Sequence, residues 1–588
     1  MGCLKSTSVV ALDTSERPRK GIVVPVKEPG DIEECLYYLQ TIANLLTYVT
    51  DNTWAALATP MALPHQERTH EASIDQFRQI PTDSKRHEAP IHNHLARFCL
   101  FVLRERAGDQ TGASLQASAL RQVAANILQQ LLEGPASMSI LQADTADTIT
   151  EALKQSINRS DTVLEIALMN LVIVTLRARL AVRDNVSQPL HRAAVPGEAP
   201  KGQPRLSFST ETSDQGDSTT GLPPPPPALL DCLLLGLSSP SAWPVLENWV
   251  QFLDDCLPFY AESAFQILMP LVDCLNKTIR SVFQLLRSTF EGSYRASTSA
   301  EPLLTLVSLL NGLERALARA HERLVQHEAG TLPIKTPEQT QGFFGNIVSG
   351  VFTPETNRVR NATANNRLTV LLCFKDAVHT CFEIWTWGDH GMDTLSRWPP
   401  NSASFNFTSV RLKNRLRRIL EHLFDAEALE CLETLIESWH KPPQGCKKGH
   451  STAVVNLLHA LEHSRPKNTI PAIFNAMYSR TNPNALDLGR KSSLTSDLSD
   501  TVVAGFLIAY MESLEDDAMD EIWSDCMTFL RDVLGNPLPH RQTLPRLLEF
   551  TAILGQKVDN TNFGEQRGMR RDLGVPSLEP MSDHANFL

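Results

Sequence analysis

No CxxC pair, no uninterrupted apolar segment of bilayer length and no surplus of positive charge occur in this sequence, and each absence removes a class of function. The eleven cysteines are scattered singly, so neither a disulfide framework nor a zinc ribbon is indicated. Cys99, Cys373 and Cys526 fall on apolar helical faces and are expected to be buried free thiols of a reducing compartment. The most apolar run, Val163 to Leu176, is interrupted by Glu165 and Asn170, which leaves it too short and too polar to span a bilayer. A net charge of −12 lacks the excess of Lys and Arg that phosphate neutralisation requires, so nucleic acid is not the expected ligand. Catalytic signatures are missing too: there is no P-loop lysine, GxSxG elbow, HExxH or kinase motif, and Gly342, Gly345 and Gly350 have neither dinucleotide-fold spacing nor a preceding strand. His87, His92 and His94 precede Cys99 but match no zinc module. No catalytic, cofactor-binding or metal-ligating residue is therefore assigned, and an enzyme is not expected.

What the chain does have is helix after helix. Leu303, Leu306, Leu310, Leu313, Leu317, Ala320 and Leu324 recur at spacings of three and four, which places them on one helical face; Leu304, Val307 and Leu309 widen the stripe. Leu371, Phe374, Val378, Cys381 and Trp385 repeat the pattern, broadened by Val370, Ala377 and Ile384, so both helices are expected to pack on more than one neighbour. Similar periodicity covers most of residues 21–182 and 228–574, with no alternating strand pattern. Successive helices joined by short Pro- or Asn-containing turns predict an all-α, irregular HEAT/armadillo-like α-solenoid, although no exact repeat period is visible. Between the two helical regions, residues 183–227 are rich in Ser, Thr, Gly, Asp and Pro and end in five consecutive prolines, Pro223 to Pro227. Such a composition cannot bury enough apolar surface to offset its ordering entropy, and predicts a disordered linker hinging two segments. Residues 1–20 are expected to be a flexible N-terminal segment and residues 575–588 a flexible tail.

Three stretches carry candidate function. The amino terminus reads MGCLKS, in which Gly2 fits a myristoylation pattern and Cys3 offers a position for palmitate. Arg411, Lys413, Arg415, Arg417 and Arg418 crowd one helix around an apolar face of Leu412, Leu416, Ile419, Leu420 and Leu423; they suit anionic lipid headgroups or an acidic partner, and equally a solvated helix face. The connection GFFGNIVSGVF contains Phe343, Phe344, Ile347, Val351 and Phe352, more apolar surface than a free loop leaves in water, so it is expected either to pack on the flanking helices or to meet a partner. Opposite in sign, Glu515, Asp516, Asp517, Asp520 and Glu521 open a helix, where carboxylates complement its dipole.

The runs SLLNGLERALARAHERL (308–324), PEQTQGFFGNIVSGVF (337–352), RLTVLLCFKDAVHTCFEIWTWG (367–388), IPAIFNAMYSRTNPNALD (470–487) and the stretch from Ser513 to Arg567 resemble the Dopey family of Golgi and endosome trafficking proteins, most of all its fungal members. The resemblance covers Ala228 to about Gly574 closely and Gly21 to Val182 more loosely. It implies a non-enzymatic scaffold on the cytoplasmic face of Golgi and endosomal membranes, with a Sec7-related Golgi scaffold and a type IV phospholipid flippase as partners. Direct attachment to anionic lipid, through the basic helix or amino-terminal acylation, is the alternative. Family members are much longer, so the resemblance also implies that this chain corresponds to part of one, in which Gly2 would be internal.

Overall fold

A computed structural model describes residues 29–61, 89–104, 114–135, 140–141, 144–186, 225–290, 301–331, 354–395, 402–441 and 450–560. The expectations for Gly2 and Cys3, for the apolar loop from Phe343 to Phe352, for His87 and for most of the Ser/Pro-rich stretch fall outside these residues. Contacts between Cα atoms divide the chain into two compact units, residues 1–262 and 263–588.

The first unit contains α1 (Pro29–Thr47), α2 (Asp51–Leu57), α3 (Ile91–Arg104), α4 (Ser114–Glu133), α5 (Thr145–Arg159), α6 (Thr162–Val186), α7 (Pro227–Ser238) and α8 (Leu246–Cys256). The one departure from helix and turn among the described residues is a two-residue antiparallel pair, Pro60–Met61 with Ala89–Pro90. The helices pack mainly on near neighbours in the chain: α1, α3 and α6 on α4, α5 on α3, α6 and α7, and α8 on α6 and α7. In α3 the buried residues His92, Ala96, Cys99, Val102 and Leu103 form a single face, as a 3.6-residue period requires. Helix α5 ends at Ser160, whose left-handed backbone (φ 56°) lets its N–H reach the Ile157 carbonyl; Asp161 then accepts the Leu164 amide at 3.2 Å and starts α6.

Contacts run across the Ser/Pro-rich stretch where the sequence suggested a hinge. The Ser241 hydroxyl donates to the Ile157 carbonyl at 3.0 Å, and the Trp249 indole N–H donates to the Glu165 carboxyl at 3.1 Å. The division between units lies at Glu262, about 35 residues beyond the proline run, because the apolar faces of α7 and α8 are buried against α5 and α6. Together α7 and the following residues to Tyr260 are apolar, but they are bent by 86°; among the described residues no single helix is long and apolar enough to cross a membrane.

Glu165 is fully buried in this unit, and one of its carboxyl oxygens has no hydrogen-bond partner. Burial raises its pKa, opposed in part by the Trp249 hydrogen bond. A carboxyl with a raised folded-state pKa holds its proton more tightly when folded, so its contribution is complete below the unfolded pKa and declines as pH rises through the folded one. Glu165→Gln should therefore raise the melting temperature at neutral pH while leaving it near the wild-type value at acid pH, a comparison that thermal scans at two pH values check.

The second unit contains α9 (Ala264–Phe290), α10 (Pro302–Thr331), α11 (Pro354–Leu395), α12 (Ser402–His440), α13 (His450–Ala460), α14 (Pro466–Thr481), α15 (Asp500–Ser513), α16 (Met519–Gly535) and α17 (Leu544–Asn560). Helix α9 packs on α10 and α11, α11 on α10, α12 and α13, α12 on α10, α13, α14 and α15, α14 on α15 and α16, and α15 on α17. This is the solenoid-like order expected from the sequence, all-α throughout. The α10 stripe from Leu303 to Leu324 is buried at every expected position, as are the α11 positions from Val370 to Trp385. Of the three residues expected to widen it, Leu309 is buried, Val307 is only partly covered and Leu304 faces solvent, so the stripe widens on one side only. Helix α12 carries one local break, at Glu427 (φ −145°). An aromatic cluster of Phe283, Phe290, Trp387 and Phe405, with ring centroids 4.8–5.8 Å apart, ties the carboxy-terminal ends of α9 and α11 to the start of α12.

Candidate functional site

The basic face of α12 is the sequence-derived candidate that the structure describes in full, and its five cations divide into two groups. Arg415 pairs with Glu314 of α10, which also meets His422. Arg417 donates from Nε to Glu421 at 2.8 Å and lies 3.5 Å from Glu462. Lys413 stands over the Trp385 ring of α11, 5.5 Å from its centroid, a cation–π contact. These three hold the helix to its surroundings. Arg411 and Arg418 face solvent, with no carboxylate at ion-pair distance among the described residues. The periodicity of α12 explains the split: Leu412, Leu416, Ile419, Leu420 and Leu423 are buried, positions next to that stripe reach α10 and α11, and the far side remains in water.

The division makes a testable contrast. Arg415→Ala leaves the largely buried Glu314 without its guanidinium and should cost about 1–3 kcal/mol, whereas Arg411→Ala and Arg418→Ala should each change stability by less than about 0.5 kcal/mol. Urea denaturation of the three variants checks it.

Beside Arg415, residues of α10, α11 and α12 line a cavity of about 200 Å³, with Glu314, His321, Glu322, Phe374 and His422 in its wall. His321 stacks on Phe374 and lies 3.6 Å from Glu427. Arg367 bridges Glu427 at 2.9 Å and Glu328 at 3.1 Å. The titratable side chains around the cavity are thus largely spent on one another. Among the described residues no cluster of three or more His, Cys, Asp or Glu side chains can hold a metal ion. Of the histidines before Cys99, His92 is buried with its ring Nδ1 2.9 Å from the Leu57 carbonyl, a packing role. Burial pushes the Cys232, Cys373 and Cys381 thiols up to about 12, so they stay protonated and unreactive near neutral pH. The acidic group opens α16 largely exposed, with Asp516 3.4 Å from Lys557, and Asp520 and Glu521 in the first turn, where they complement the dipole.

Sequence reasoning missed the most heavily bonded polar centre. Arg480 of α14 forms a bidentate pair with Glu433 of α12 at 2.7 and 2.9 Å, and both side chains are almost entirely buried. Arg480 Nε donates to the Leu498 carbonyl, and the Ser496 hydroxyl donates to Glu433. One turn earlier, Glu430 accepts from the Ser493 amide at 2.7 Å and the Thr495 hydroxyl at 2.8 Å. The connector between α14 and α15 is thereby clamped to α12, with Leu494 held at φ 54°. The only signal was a pair of glutamates, three apart, inside the apolar run LECLETLIESW, where one helix face would normally carry leucine.

Stacked helices that pack mainly on near neighbours in the chain define an all-α, solenoid-like protein. A family model described as DOP1 C-terminal matches residues 506–576. Across 554 residues, 93 % of this chain, the sequence is 43 % identical to Protein dop1 of Emericella nidulans, and across 359 residues it is 27 % identical to Protein DOP1 of Saccharomyces cerevisiae. The chain belongs to the Dopey family. It aligns to 29 % of the Emericella protein's length and 20 % of the yeast protein's.

Proposed function

We propose that this chain is part of a non-enzymatic scaffold in Golgi–endosome traffic that gathers partner proteins on the cytoplasmic face of the membrane. The observation that carries this reading is family membership extending over 93 % of the chain; Dopey proteins are trafficking proteins. The architecture supports it, since stacked helices offer long surfaces for docking and the polar groups of the 200 Å³ cavity are tied up in internal pairs. The partners proposed are a Sec7-related Golgi scaffold and a type IV phospholipid flippase. The loop with Phe343, Phe344, Ile347, Val351 and Phe352 is one candidate contact for them.

Affinity purification of the full-length protein from cells tests the reading. Both partners are expected in the eluate under mild salt; if neither co-purifies, the scaffold reading fails.

A further inference from the structure

We infer that the solvent face of the first half of α12, formed by Phe407, Val410, Arg411 and Arg418, rests on an anionic bilayer surface. The inference builds on the membrane-scaffold reading and names the surface of this unit that touches lipid. Residues 407, 411, 414 and 418 are spaced by four, three and four, which aligns them along one side of a helix over about 16 Å. Phe407 is 65 % exposed and Val410 57 %. An aromatic and a β-branched side chain standing in water on the same face as two unmatched guanidinium groups is costly for a solvated surface and suited to an interface, where the apolar groups enter the headgroup layer and the cations meet phosphate.

The surrounding charge favours lipid over a neutral protein. Nineteen consecutive residues, Ser402 to Leu420, contain five cations and no carboxylate. Three of the cations are engaged by Glu314, Glu421 and Trp385, and the first carboxylates that follow, Glu421 and Asp425, are met by Arg417 and His463. What remains outward is positive, apolar or, at Asn406 and Asn414, neutral and polar, with no carboxylate among it. Planar guanidinium groups pair with phosphate oxygens bidentately, whereas a binding site for a small anion would need converging buried donors, which this convex face lacks. Two cations and one aromatic ring give weak adhesion by themselves, so this face orients a scaffold whose recruitment depends on its partners.

Sedimentation of the full chain with vesicles tests the inference. The chain should partition onto phosphatidylcholine vesicles containing about one-third phosphatidylserine and much less onto phosphatidylcholine alone, with attachment falling as salt is raised from about 0.1 M to about 0.5 M. Arg411→Ala with Arg418→Ala should weaken partition about 25-fold, from roughly fivefold per arginine. The pair Arg411→Lys and Arg418→Lys should retain most of it. Phe407→Ser with Val410→Ser should weaken it about tenfold without changing its salt dependence. Every variant should melt with wild-type chain, because the four side chains are exposed. Equal binding to both vesicle types, or undiminished binding by the double arginine-to-alanine variant at an unchanged melting temperature, overturns the inference and leaves the face to an acidic protein surface. The scaffold reading stands or falls separately, since the same alanine variant should still co-purify both partner proteins.

Discussion

Replacing Arg480 with alanine is expected to destabilise the second unit by about 3–5 kcal/mol, more than the loss of Arg415, whose pair with Glu314 is less completely buried. Glu433 is fully buried, and its carboxylate is satisfied by both guanidinium nitrogens and by the Ser496 hydroxyl. Without the guanidinium it keeps one neutral donor for a full charge in a medium of low dielectric, and must either bear that penalty or take up a proton. The loss spreads, because Arg480 Nε also holds the Leu498 carbonyl, and the connector carrying Ser493, Thr495 and Ser496 lies against the same face of α12. Urea denaturation followed by circular dichroism should show the shift, and limited proteolysis should show new cleavage between Leu494 and Ser499. The double variant Glu433→Leu with Arg480→Leu should recover much of the stability, since a buried ion pair compares poorly with well-packed apolar side chains once both desolvation costs are removed. A double variant as unstable as Arg480→Ala would mean that the pair contributes through geometry that leucine cannot supply.

In the first unit, Trp249→Ala is expected to cost about 3–5 kcal/mol. The indole is fully buried, stacks edge to face on Phe252 at 5.6 Å and presses so closely on α7 that a β-carbon added to Gly236 would lie 2.5 Å from its Cδ2. Alanine leaves a cavity against a helix that has no side chain there to fill it. It also removes the indole N–H that donates to Glu165. Trp249→Phe separates the two contributions: it retains most of the packing but not the N–H, and should cost about 1–3 kcal/mol. Combining it with Glu165→Leu should reduce that penalty. Thermal unfolding of the single and double variants provides the comparison.

These two centres show where sequence reading stopped. Apolar periodicity is a property of one helix, so the α10 and α11 faces could be read position by position from Leu303 to Trp385, and the spacing of Arg411 to Arg418 around Leu412 and Leu416 placed those cations beside a buried stripe. Arg417 has Glu421 four residues on, a pairing the sequence can show, but the engagement of Arg415 and Lys413 could not be read, because Glu314 and Trp385 lie 101 and 28 residues away. Leu45 illustrates the reverse error. Near-helical spacing of Leu36, Leu39, Ile42, Leu45, Leu46 and Val49 assigns it to one apolar face, yet it is exposed while Leu39 and Leu46 are buried in a helix that packs on α4. For residues 183–227 composition speaks only of the segment itself, and not of whether the helices on either side pack with each other.

By itself, the sequence determined that the chain is helical, where most helices lie, which residues face inward and which family it resembles, since each of these follows from local periodicity, local turn chemistry or a run of matched residues. Tertiary structure alone decided that α7 and α8 join the first unit, that Glu433 and Arg480 meet, that Glu314 claims Arg415, and that Arg411 and Arg418 remain outward. The physical reason is the range of the interactions. A helix is selected by hydrogen bonds four residues apart and by the side of it that avoids water, whereas an ion pair or a packed indole depends on which distant helix arrives beside it.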